Sequence, residues 1–385
     1  MVSRTAATGP IRILIVFGTR PEAIKLCPIV LHMRDRTAEF DVKVCATAQH
    51  REMLDQVLAA FEVQPDFDLN VMRPNQTLAQ STSRILAALD PVLKEARPEL
   101  ILVQGDTTTT LCGALAGFYH KIPVGHVEAG LRTHDIWRPF PEEMNRVLTT
   151  RLAALHFAPT ETSARNLRED LVPESRIVVT GNSGIDAVLY IRDRLERGVL
   201  RGRDWPMLDS EKKLIAVTAH RRESFGEGFT QICSALRRLA ARSDVQIVYP
   251  VHLNPNVQSP VRTALAGLAN VFLVEPLDYV PFVDLMRRAH FLLTDSGGIQ
   301  EEGPSLGKPV LVLRETTERP EAVEAGTVKL VGTDEEKIVA EATRLLDDPA
   351  EHRRMSLVHN PYGDGSASRR ISGAINRFYR PVATV

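Results

Sequence analysis

The sequence predicts an α/β protein made of two doubly wound parallel sheets, and three observations carry that prediction. Twelve continuous apolar, β-branched runs alternate with amphipathic stretches, the pattern of strands covered by helices on both faces. The chain has 385 residues, more than one typical domain holds. A dozen strands would overload one sheet, and the longest polar interval, RDRLERGVLRGRDWPMLDSEKK, runs from Arg192 to Lys213. The chain is therefore expected to split between Gly181 and Lys213.

In order, the first half offers the strands IRILIVFG, DVKVCATA, ELILVQGD, IPVGHVEA, LHFAPT and RIVVTG. The second offers KLIAVTAH, VQIVYPVH, VFLVEP, HFLLTD, PVLVLR and VKLVG. Arg-Pro-Glu-Ala follows a strand near both ends of the chain, and proline suits the first helical position. Arg20 and Arg319 are thus expected at helix N-termini, where a cation opposes the helix dipole unless an anion lies nearby. The tail NPYGDGSASRRISGAINRFYR approaches a last helix. The predicted domains are residues 1–182, with the helix at about 367–385 packing back on them, and residues 183–366.

Composition excludes some partners. Lysine plus arginine number 47 against 48 acids, a net charge of −1, so no nucleic acid is expected to bind by bulk charge. Cys27, Cys45, Cys112 and Cys233 lack metal-type spacing and sit mostly in apolar runs, as reduced core thiols do. The apolar run near the N-terminus is too short for a signal sequence or membrane span, which predicts a cytoplasmic protein with no membrane partner.

In open α/β sheets ligands bind beyond the carboxyl ends of the strands, and chemistry-bearing residues cluster there. In the first half these are Arg20 and Lys25, Asp106, then His126, Glu128 and Arg132. Asp106 could be a helix N-cap ahead of TTTTLCGALAGF. Glu128 ends an apolar strand, where an unpaired carboxylate is costly if buried; it either pairs with Arg132 or works. In IWRPFPEEMNR, Pro141 begins a helix with Glu142 and Glu143 in its first turn, and Glu143 is read as complementing the helix dipole. Asp106, Glu128 and Glu142 form a candidate acid and base set in which crowding spreads the pKa values. No histidine pair at ligand spacing accompanies them, so no metal is expected.

The second half supplies cations and glycines. His220, Arg221 and Arg222 follow a strand, and Arg314 and Arg319 add charge to a candidate anion site. Ser296, Gly297 and Gly298 open a helix whose free amides can hold phosphate oxygens. Glu302, one turn on, can accept from both hydroxyls of a ribose. Glu301, about 100° round the helix, is left without a role.

As a set, FGTRPEAIK, AQHREMLDQ, QGDTTTT, HVEAGLRT, PFPEEMNR, HRRESFG, HLNP and TDSGGIQEEGPSLGKPVLVLRETTERPEA strongly resemble the non-hydrolysing UDP-N-acetylglucosamine 2-epimerases, from Ile11 to Tyr379. The resemblance implies a GT-B fold, two Rossmann-like domains facing across a cleft with the nucleotide held mainly by the second. It implies interconversion of UDP-N-acetylglucosamine and UDP-N-acetylmannosamine through a 2-acetamidoglucal, without NAD or metal, by a homodimer supplying cell-surface polysaccharide synthesis.

By motif, Arg20, Lys25, Asp106, Glu128, Glu142 and His220 would surround sugar and diphosphate. Phe282, Ser296, Gly297, Gly298, Glu302 and Arg319 would bind UDP, with Leu277 near the uracil where some members carry glutamine. Gln49 and His252 match a regulatory set found in some members, whereas Glu52 and Asn75 depart from it. The alternatives are a hydrolysing epimerase releasing UDP and N-acetylmannosamine, a GT-B glycosyltransferase, and a catalytically silent nucleotide-sugar sensor.

Overall fold

The structure, a computed structural model, describes residues 9–47, 51–73, 75–357 and 359–381. Two compact units follow from the chain's internal packing, Met1–Ala187 with Gly363–Val385, and Val188–Tyr362.

The first unit begins β1 (Ile11–Phe17), α1 (Arg20–Arg34), β2 (Phe40–Ala46), α2 (Arg51–Ala60), β3 (Phe67–Asp68) and α3 (Leu78–Ala96). It continues β4 (Leu100–Gln104), α4 (Thr108–Tyr119), β5 (Val124–Val127), α5 (Glu142–Leu152), β6 (Leu155–Ala158), α6 (Glu161–Glu169), β7 (Ile177–Val179) and α7 (Ser183–Glu196), whose last turns enter the second unit. The strands form one parallel sheet ordered β3-β2-β1-β4-β5-β6-β7. All six apolar runs read from this half are strands, and the two-residue β3 is an addition. Leu14, Val16, Ile101 and Val103 of the sheet are buried with Ile85 and Leu89 of α3 and Cys112 of α4. That apolar face, rather than local propensity, holds the helices in place.

The second unit contains β8 (Lys213–Thr218), α8 (Glu227–Ala240), β9 (Val245–Pro250), α9 (Pro255–Leu265), β10 (Val271–Val274) and α10 (Tyr279–Arg288). It then runs β11 (Phe291–Thr294), α11 (Gly297–Ser305), β12 (Val310–Val312), α12 (Pro320–Ala325), β13 (Val328–Leu330), α13 (Glu335–Asp347) and α14 (Pro349–Ser356). Its parallel sheet is ordered β10-β9-β8-β11-β12-β13. The core gathers Ile215, Val217, Ile247, Tyr249, Phe291 and Leu293 from the sheet with Phe229, Leu236, Val261 and Ile338 from the helices.

The last helix, α15 (Ala367–Tyr379), belongs to the first unit and packs on α1. Ser372 Oγ lies 3.0 Å from His32 Nε2, Tyr379 donates to the Glu99 carbonyl at 2.5 Å, and the buried Asp186 carboxylate accepts the helix-start amides of Ala367 and Ser368. Among the described residues no helix is long and apolar enough to cross a membrane. The four cysteines are free and buried.

Strand order reverses between β1 and β4 in one sheet and between β8 and β11 in the other. The crevices beyond these switch points are where an open α/β sheet receives its ligand.

Candidate active site

Each switch point carries one set of the candidate side chains. In the first unit, β1 ends at Phe17, and Gly18 turns the chain into α1. A Cβ on Gly18 would come within 2.2 Å of Thr47 Oγ1 and 2.5 Å of Thr109 Oγ1, so only glycine fits this approach. Thr19 and Glu22 form a capping box at the start of α1. Glu22, 1% exposed, takes the Gly18 and Thr19 amides on one oxygen and the Thr107 and Thr110 hydroxyls on the other. It thereby ties the loop that presents Arg20 to the loop after Asp106. Burial raises its pKa, against the hydrogen bonds that lower it. Arg20 itself, half-buried at the first position of α1, has no hydrogen-bond or ion-pair partner among the described residues.

Asp106 is not the cap of α4. Thr107 takes that place, its hydroxyl accepting from the Thr110 amide, and the Asp106 carboxylate turns instead to the Arg146 guanidinium. Asn145 clamps the Asp106 carbonyl at 2.9 Å. Nor does Glu128 pair with Arg132, which is committed to Asp170 and Thr150. Glu128, one residue past β5, accepts from Lys25 Nζ at 2.5 Å, from the Gln104 amide and from Asn182 Nδ2 at 3.4 Å. Its φ of 62° lies in the left-handed region, which a residue with a Cβ adopts at a cost of about 1–2 kcal/mol. The strain sets this carboxylate among a lysine and two amides.

These pairings change the picture of three acids crowded together, because Asp106 and Glu128 each lie against a cation of their own. Glu142, half-buried at the start of α5, has no hydrogen-bond or ion-pair partner among the described residues. Glu143 does more than complement the helix dipole. Its carboxylate is 1% exposed and accepts from the amides of Thr133 and His134 and from Arg146, all at 3.1 Å. His126 is wholly buried, its Nε2 2.7 Å from the Gly105 carbonyl beside Asp106. Burial pushes its pKa down to about 3, so it is a neutral strut rather than a proton carrier.

In the second unit, β8 and β11 are in register at Thr218 and Thr294. The residues that follow, Ala219–Arg222 and Asp295–Gly298, are therefore side by side. Ser296 is the N-cap of α11, but its side chain makes no capping bond, leaving the first-turn amides without one. Gly297 and Gly298 have no positive φ, and a Cβ on either would meet nothing nearer than 4.0 Å. Neither backbone geometry nor packing explains them, although glycine costs a helix about 1 kcal/mol relative to alanine. The atom nearest a Cβ on Gly297 is Nη2 of Arg221, so the open space over the glycines is flanked by a guanidinium. Free amides, a helix dipole and an arginine suit phosphate oxygens.

His220 stands beside this turn, its ring stacked on His252 with centroids 5.4 Å apart. Glu302 is half-buried on α11, Phe282 half-buried in the first turn of α10, and Leu277 half-buried just before it. Arg314 is 7% exposed and paired with Glu223 at 2.6 Å and Glu318 at 3.7 Å. One expectation is corrected here. Glu301 has a role after all, because its buried carboxylate receives Nε of Arg319 and supplies the anion that a cation at the start of α12 requires. Gln49 lies outside the described residues.

Sequence reasoning missed Gln104, Arg146, Asn182 and Asp295 as partners of the site. Only Arg146 carried a local signal, its i,i+3 spacing from Glu143.

Two Rossmann-like parallel sheets, each with polar and ionic side chains at its switch point, define an α/β protein of the GT-B type. The chain belongs to the UDP-N-acetylglucosamine 2-epimerase family, whose sequence pattern matches residues 32–376. It is 60% identical over 370 residues to the UDP-N-acetylglucosamine 2-epimerase of Yersinia pestis, covering 94% of this chain and 98% of the relative. It is 58% identical over 369 residues to that of Escherichia coli K12, covering 94% and 98%. The crystal structure of UDP-GlcNAc 2-epimerase from Neisseria meningitidis bound to UDP-GlcNAc matches with a TM-score of 0.86 at 49% identity, over 95% of this chain and all 100% of that one.

Proposed function

We propose that the protein reversibly epimerises carbon 2 of UDP-N-acetylglucosamine, giving UDP-N-acetylmannosamine without releasing the free sugar. The observation that carries this reading is the start of α11, where Gly297 and Gly298 leave space over free amides beside Arg221. Ser296, Gly297 and Gly298 hold the diphosphate, Glu302 the ribose hydroxyls, and Phe282 and Leu277 the uracil side. Arg319, aligned by Glu301, adds charge to the nucleotide site.

The hydrogen on carbon 2 is not adjacent to a carbonyl, so a base cannot remove it directly. UDP departs first with the electron pair of its bond to carbon 1, leaving an oxocarbenium-like centre that acidifies carbon 2. Loss of that proton to a carboxylate gives the 2-acetamidoglucal. Protonation from the opposite face and return of UDP to carbon 1 complete the inversion. Two faces require two proton carriers, and Asp106, Glu128 and Glu142 supply them jointly. In the resting site Lys25 pairs with Glu128 and Arg146 with Asp106. Arg20 and His220 stabilise the departing diphosphate. The reaction uses no NAD and no metal. From the family resemblance we further place the protein in the cytoplasm, as a homodimer supplying N-acetylmannosamine-type precursors for cell-surface polysaccharide. Gln49 and His252 are candidate regulatory residues.

Turnover of UDP-N-acetylglucosamine in deuterated water, followed by NMR, tests the proposal. Deuterium at carbon 2 of an intact mixture of both UDP-sugars is expected. Stoichiometric free UDP with N-acetylmannosamine would establish the hydrolysing reaction instead, in which water traps the intermediate.

A further inference from the structure

Asp295 follows β11 directly and is 1% exposed. Its Oδ2 accepts two consecutive amides from the turn after β8, that of His220 at 2.6 Å and that of Arg221 at 2.7 Å. Its backbone carbonyl takes Nε of Arg221 at 3.0 Å. The other carboxylate oxygen, Oδ1, is buried without a hydrogen-bond partner among the described residues, and Nδ1 of His220 lies 3.4 Å from it.

A buried carboxylate oxygen with no donor is costly. An imidazole can carry its proton on Nδ1, on Nε2 or on both, and only a proton on Nδ1 serves Oδ1. The stacked His252 does not compete for that proton, because its own Nδ1 accepts from the Asn254 amide at 3.1 Å. One carboxylate therefore holds the backbone that presents His220 and sets its other oxygen beside Nδ1 of the ring.

We propose that Asp295 is a positioning residue for His220, keeping Nδ1 protonated and stabilising the imidazolium, so that Nε2 can donate to the diphosphate as it leaves carbon 1. This rests on the reading of His220 as a diphosphate contact. No bond to the histidine forms or breaks, since the imidazolium holds the developing charge through a hydrogen bond. Arg221, fixed by the same aspartate, remains beside Gly297, and the two cations are oriented as a pair.

The decisive substitution is Asp295→Asn. The asparagine carbonyl can still accept the His220 and Arg221 amides, while its NH₂ faces Nδ1 and forces that nitrogen to become an acceptor. The neutral ring then still donates through Nε2 but without its charge, and a charge-assisted hydrogen bond is roughly twice as strong as a neutral one. The expected result is a fall in kcat of about tenfold or more, with UDP affinity and thermal midpoint nearly unchanged. In a His220→Asn background the same substitution should cost almost nothing. An equal loss in both backgrounds would overturn the proposal, because Asp295 would then act through the turn alone. In the unsubstituted protein with UDP bound, ¹⁵N NMR of the His220 ring should show both Nδ1 and Nε2 protonated, and either nitrogen found unprotonated would also overturn it. His220→Asn leaving kcat intact would remove the premise and identify the reading of His220, rather than the geometry of Asp295, as the failure.

Discussion

The Arg146 guanidinium donates to the Asp106 carboxylate with one terminal nitrogen and to the Glu143 carboxylate, 3.1 Å away, with the other. Glu143 is almost fully buried, so Arg146→Met would leave its charge uncompensated in the interior. The expected loss of stability is about 3–5 kcal/mol, together with a large loss of turnover. Urea denaturation measures the first, and a loss below about 1 kcal/mol would mean that the pair behaves as a solvent-exposed one.

Glu128 holds a left-handed backbone conformation, and replacements there separate strain from charge. Glu128→Ala and Glu128→Gly both remove the carboxylate and leave Lys25 without it, so both should abolish exchange at carbon 2. The glycine variant should nevertheless be the more stable of the two by about 1 kcal/mol, since glycine adopts this φ without penalty. Equal urea midpoints would contradict the strain.

Gly297 and Gly298 invite the opposite trade. Alanine at either position meets no protein atom nearer than 4.0 Å, so the fold should gain up to about 0.5–1 kcal/mol. The added methyl group enters the space over the helix-start amides, and UDP binding should weaken at least about tenfold, about 1.4 kcal/mol. Calorimetric titration with UDP together with a melting curve checks both signs, and unchanged affinity would remove these glycines from the diphosphate site.

Acid should destabilise the protein through its buried histidines. Burial pushes His126 from 6.5 to about 3, and burial with the neighbouring His352 pushes His290 to about 4. Each is neutral when folded and protonated when unfolded below pH 6.5, so unfolding takes up protons. Their contribution is complete above pH 6.5 and is lost as pH falls towards the folded values. Glu22 acts in the opposite sense, because its raised pKa gives a contribution that is present at low pH and lost as pH rises through the folded value. Urea midpoints of the unsubstituted protein and of His126→Gln, compared between pH 7.5 and pH 5, should show the former losing more. A parallel decline would indicate that His126 takes up no proton on unfolding.

How much of this was legible depended on distance along the chain. The strands could be read because a parallel strand buried on both faces is a continuous apolar run, and β3 escaped because two residues make no run. The switch-point residues were legible because strand ends bracket them. The pairings were not. Asp106 meets Arg146 from 40 residues away, and Asp295 meets His220 from 75. Asp106 and Thr107 are adjacent and both able to cap a helix, the aspartate by general preference the better of the two. Only the structure assigns the cap to the threonine and frees the aspartate for Arg146. Glu301 shows the same limit, since its angle on α11 put it away from Glu302 but gave no sign of Arg319.

The placement of α15 governs the order in which this protein is made. The first unit starts at the N-terminus, yet a helix packed on its α1 is encoded by residues 367–379, after the whole of the second unit. On the ribosome, where domains fold as they emerge, the second unit has all of its residues first, while α1 waits with part of its apolar side uncovered. The amino-terminal half is begun first and finished last, and a chain released before Ala367 would carry an intact second unit beside a first unit that cannot close.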